Sequence, residues 1–134
     1  MQRTDSLLVA EPAHQLALST YRHTASFPAS ERFGITSQMC RAAVSISSNI
    51  AEGCGRSSNR ELLRFLYYAS GSVSELASQL RIASDLGFGD PTSAESLRDQ
   101  VLRLGKMLTR LITYHRDKLV ATKSESRPGD GPSS

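Results

Sequence analysis

The stretch Gln38–Phe88 reads QMCRAAVSISSNIAEGCGRSSNRELLRFLYYASGSVSELASQLRIASDLGF, and its spacing decides the fold. Leu62, Leu66, Ala69, Val73, Leu76, Leu80 and Ala83 recur at alternating four- and three-residue steps, the seam of a helix lying nearly antiparallel to a partner. A second line, Phe65, Tyr68, Ser72, Gln79, Ile82 and Leu86, follows the neighbouring face, so this helix should meet more than one neighbour. Ahead of it, Thr36 to about Gly53 reads as a helix with Met39, Ala42, Ile46 and Ile50 as its larger apolar members, behind Ile35 as half of a hydrophobic staple and Thr36 as N-cap. The rest of that helix is Ala, Ser and Gly, a surface that suits close approach of another backbone. Gly53 and Gly55 read as its left-handed stop, and Ser58 with Glu61 as the capping box that opens the next helix.

Outward from this centre, Pro12 suits a first helical turn, and Ala13, Leu16, Ala17, Thr20 and Tyr21 give a short amphipathic helix that Pro28 stops. After Gly87, Asp90-Pro91 and the Thr92/Glu95 spacing both announce a fourth helix. Its core line is Leu97, Val101, Leu104, Leu108, Leu111 and His115, supported by Ile112 and Leu119. No strand signal of useful length appears. The expectation is an all-α chain, an antiparallel up-down-up-down four-helix bundle over residues 11–119, with a flexible arm at 1–10 and a disordered tail at 120–134.

With 134 residues the chain is one domain by size, and a net charge of +3 is too small to identify a partner without its distribution. Cys40 and Cys54 lie fourteen residues apart on one helix, about 20 Å, which forbids pairing them to each other and favours reduced thiols in the cytoplasm. The first fourteen residues have too short an apolar run for a signal peptide or a membrane span.

No arrangement of residues demands catalysis or a cofactor. Glu11 and His14 have the Glu-x-x-His spacing of di-iron bundles, but no second copy exists, and His14, His23 and His115 sit apart with no ligand set for a metal. The glycines around Cys54 follow a helix where a phosphate loop needs a strand, and neither cysteine has a base beside it. Glu52 and Glu75 stand among residues that read as packed, as do Gln38, Asn49 and Gln79. Each buried carboxylate should therefore meet an arginine, a backbone donor or a partner subunit. The remaining signal is basic. Arg56, Arg60 and Arg64 recur every four residues from the turn onto the third helix, and Arg103, Lys106 and Arg110 share a face of the fourth with no acid among them. Guanidinium suits bidentate phosphate recognition, so these six residues are the candidate nucleic-acid contacts.

The central run closely resembles the bacterial four-helix bundle family named for intervening sequences in 23S rRNA genes. The resemblance is carried by Ser37, Gln38, Arg41, Ala42, Ala43, Ser45, Ile46, Asn49, Ile50, Ala51, Glu52 and Gly53, then Phe65, Leu66, Ala69, Gly71, Ser72, Glu75, Gln79 and Leu80. At the start the chain departs from the family, with Ala10-Glu11-Pro12 where a Trp is usual. The resemblance implies a homopentameric ring with no established activity. It also implies Asn49, Glu52, Gly53, Glu75 and Gln79 as signature positions without a named reaction. Relatives include the accessory protein of diversity-generating retroelements, a basic pentamer that works with a reverse transcriptase. The resulting expectation is a non-enzymatic oligomer that binds structured RNA or RNA/DNA electrostatically. The alternative is a scaffold for a polymerase-type protein with no direct nucleic-acid role.

Overall fold

The computed structural model describes residues 2–125, and the side chains of residues 8–122. Among the described residues the long apolar periods become four helices, α1 (Gln2–Thr24), α2 (Ile35–Cys54), α3 (Asn59–Asp85) and α4 (Pro91–Glu125), with a 3-10 turn at Ala29–Glu31. No strand occurs among the described residues. Each helix packs on the next, and α1 packs on α4, which closes the bundle. Rising numbers on one helix meet falling numbers on its neighbour. Ser45 bonds Ser72 while Gly53 abuts Leu62 and Phe65, Asn59 bonds His115 while Val73 abuts Gly105, and His23 bonds Ser93 while Glu11 and Gln15 share a groove with Arg103. Neighbours therefore run antiparallel.

Both seams read from the sequence are the core. All seven residues of the α3 line are buried, and so is the α4 line from Leu97 to His115. The second α3 line is only partly covered: Gln79 is buried, but Tyr68, Ile82 and Leu86 are half or more exposed in a single chain.

The helix ends show where sequence and structure part. The sequence reading places Pro12 at a helix start, but α1 begins at Gln2 and carries Pro12 in its interior. Proline has no N–H to offer the Leu8 carbonyl, so this turn of α1 holds one helical bond fewer. Thr36 is not the N-cap of α2. Gly34 holds that position without a side-chain cap, and the Glu31 carboxylate reaches the Ile35 N–H at 3.5 Å. Gly55 keeps a right-handed φ of −84°, so it is no left-handed stop. Gly53 lies inside α2, where a Cβ would meet Phe65 Cβ at 3.1 Å and Leu62 Cδ1 at 3.2 Å, so its role is close approach.

Other ends follow the sequence. Ser58 Oγ accepts the Glu61 N–H at 3.1 Å. Gly87, at φ +79°, closes α3 in a Schellman motif, with Gly87 N–H on the Ser84 carbonyl and Phe88 N–H on that of Ala83. Asp90 caps α4 by accepting the Ser93 N–H at 2.8 Å, with Pro91 at the first helical position, so the Thr92/Glu95 signal is not the one used. Helix α4 continues to Glu125, past the expected boundary at 119. Residue 1 and residues 126–134 of the expected arm and tail lie outside the described residues.

Candidate nucleic-acid interface

The two basic loci differ in what surrounds them. At the α2–α3 corner the cations are already engaged. Arg56 donates to Glu52 at 2.6 Å one turn back, and Arg64 to Glu61 at 2.9 Å. Both guanidinium groups also lie over the Phe65 ring, 4.8 and 4.9 Å from its centroid, and Tyr68 meets that ring edge-on. Arg60 is exposed and makes no ion pair among the described residues.

Helix α4 is different. Arg103, Lys106 and Arg110 are exposed on its outer face, with no acid between Asp99 and Asp117 and no ion pair within 4 Å among the described residues. Lys106 and Arg110 line an open groove between α3 and α4 together with Ser70, Ser74, Ala77 and Gly105, over the buried Val73 and Val101. Arg103 lies over the α1–α4 groove beside Glu11 and Gln15.

The structure does not bring these two loci together: the start of α3 meets α4 at His115, and Arg103, Lys106 and Arg110 lie five to twelve residues back along α4, about 8–18 Å away. Asn59, at the first position of α3, donates to the His115 carbonyl at 2.9 Å and accepts from the His115 ring Nδ1 at 2.6 Å. With an amide oxygen as acceptor, Nδ1 is the donor of this pair of hydrogen bonds, which set Arg60 at the same end as Arg116 and Lys118. The partner of His115 was not legible, because the two residues are 56 apart in sequence.

Of the signature residues, Gln79 is buried as expected. Asn49 is half-buried and donates to the Ser45 carbonyl and hydroxyl, beside the Ser45–Ser72 hydroxyl pair that ties α2 to α3. Glu52, Glu75 and Gln38 are exposed, which corrects the expectation that they are packed. Glu52 meets an arginine as anticipated, though on the surface, while Glu75 makes no ion pair among the described residues. The small residues beside them line the outer face as well as the core, so small neighbours did not mean burial. No cluster of three or more His, Cys, Asp or Glu able to hold a metal occurs among the described residues, and no helix there is long and apolar enough to cross a membrane.

The family model for the 23S rRNA-intervening sequence protein matches residues 5–110. The chain belongs to this family. A protein of unknown function from the S23 ribosomal protein family of Bacteroides thetaiotaomicron is similar in fold to this member of the 23S rRNA-intervening sequence family. It shows a TM-score of 0.72 and 18% identity, over 81% of this chain and 98% of that one. No curated protein matches the sequence.

Proposed function

We propose that this protein is a non-catalytic, cytoplasmic oligomer that binds RNA or DNA through the outer face of α4. The observation that supports this reading is the run of exposed, unpaired Arg103, Lys106 and Arg110 without an intervening acid. Phosphates neutralised by such cations release counterions, which drives sequence-independent binding. Arg56 and Arg64 contribute less, because their acid partners must first be given up.

Self-association would multiply the effect. Val44, Tyr68, Ile82 and Leu86 leave an apolar α2–α3 face open in the single chain. A homo-oligomer, a pentamer by family resemblance, would cover such a face and repeat the α4 cations around a ring. The test is fluorescence anisotropy with a labelled RNA at low salt. Replacing Arg103, Lys106 and Arg110 together by Glu should weaken binding at least about tenfold, whereas Arg60→Glu should weaken it less. Undiminished binding by the triple variant overturns the proposal.

A second reading rests on Phe33, which projects from the α1–α2 connection with 87% of its surface exposed and Arg32 over its ring. An exposed aromatic of this kind suits a protein partner of polymerase type. A partner recovered from nuclease-treated extract by the wild type, and lost by Phe33→Asp, would favour the scaffold.

A further inference from the structure

Helix α4 carries more than charge on its outer face. Lys106, Arg110, Tyr114 and Lys118 follow one another at four-residue steps, and all four are exposed. Four residues of helix rise about 6 Å, so this row sets a cation, a cation, an aromatic ring and a cation at roughly even intervals. Tyr114 keeps 46% of its surface exposed and lines an open groove with Arg110, while Lys118 Nζ lies 5.8 Å from the ring centroid.

We infer that the nucleic acid taken by α4 is single-stranded, with phosphates on Lys106, Arg110 and Lys118 and an unpaired base stacked on Tyr114. This rests on the proposed electrostatic reading and adds the strandedness of the ligand. A duplex offers phosphates but hides the faces of its bases, so the half-exposed ring of Tyr114, which stands edge-on to His115 at 5.0 Å and carries Lys118 over it, would have nothing to stack on. Single strands expose every base face, and a cationic surface that carries an aromatic platform suits them. An anionic membrane would meet Leu8 and Tyr114 beside one groove and Leu102 about 18 Å from Tyr114 along α4, with Lys106 and Arg110 between them, and the vesicle arm below tests it.

The test compares a mixed-sequence 20-nucleotide single strand, the same sequence as a duplex, and vesicles rich in phosphatidylserine, all at one salt concentration. The single strand should bind at least about fivefold tighter than the duplex. Tyr114→Ala should lose about fivefold or more on the single strand and nothing on the duplex, while Tyr114→Phe should retain the affinity. Circular dichroism checks that the variants keep their helices. Equal affinity for strand and duplex, untouched by Tyr114→Ala, overturns this inference and leaves the electrostatic reading standing. Absence of binding to either, or binding to vesicles alone, overturns both.

Discussion

At position 23, burial and charge oppose each other. The His23 ring is 3% exposed, stands edge-on to Phe27, and bonds the Ser93 hydroxyl through Nδ1 at 2.8 Å. Its pKa is lowered below the ordinary 6.5, because burial penalises the imidazolium more than nearby Asp90 favours it. The unfolded chain therefore binds the proton first. The stabilisation by neutral His23 is fully present above pH 6.5 and drains away as the pH falls from there towards the lower folded value. Thermal melts from pH 8 to pH 5 should show the midpoint dropping below pH 6.5, with a smaller drop in His23→Gln; equal drops would contradict this assignment. The same pocket explains Gly89, at φ +82°, where a Cβ would meet His23 Cε1 at 2.7 Å and Phe27 Cε1 at 2.9 Å. Gly89→Ala combines a left-handed penalty with overpacking, and urea titration should find it about 2–4 kcal/mol less stable.

At the scale of the helix, the Asn59–His115 pair fastens the start of α3 to the far half of α4. Asn59→Ala removes two bonds to buried groups and should cost about 2 kcal/mol in chemical denaturation, against about 1 kcal/mol for loss of the Ser58 cap in Ser58→Ala. Comparable small losses in both would mean that the pair is incidental. These elements also show what the sequence could reveal. The seams of α3 and α4 were legible because apolar spacing sustained over about five to six turns admits one helical face, and Ser58, Asp90 and Gly87 announce helix ends by local chemistry. Pro12 misled because its fixed φ is helical and fits the interior of α1 as well as a first turn, at the loss of one backbone bond. Gly53 misled because glycine serves close approach as well as left-handed turns. The basic residues could be named from the sequence. The ion pairs that occupy Arg56 and Arg64 and leave α4 open depend on side-chain geometry and could not.

Across the whole molecule, an antiparallel ring of helices holds the α4 face rigid and turns its cations outward, while the α2–α3 face leaves Val44, Tyr68 and Ile82 uncovered. If that face is closed by copies of the chain, light scattering should find an oligomer at micromolar concentration, and Tyr68→Asp with Ile82→Asp should shift it towards monomer without loss of helix; a wild-type monomer would contradict self-association. The central claim is that α4 holds phosphates by charge. Its most direct test is the affinity for a single-stranded oligonucleotide measured across a series of salt concentrations. Three neutralised phosphates per protomer predict that log K falls against log salt with a slope of about −2 per engaged protomer, and that reversing Arg103, Lys106 and Arg110 makes the slope shallower as it weakens the binding. Affinity that stays level as salt rises, or a slope unchanged in the reversed variant, would contradict the account.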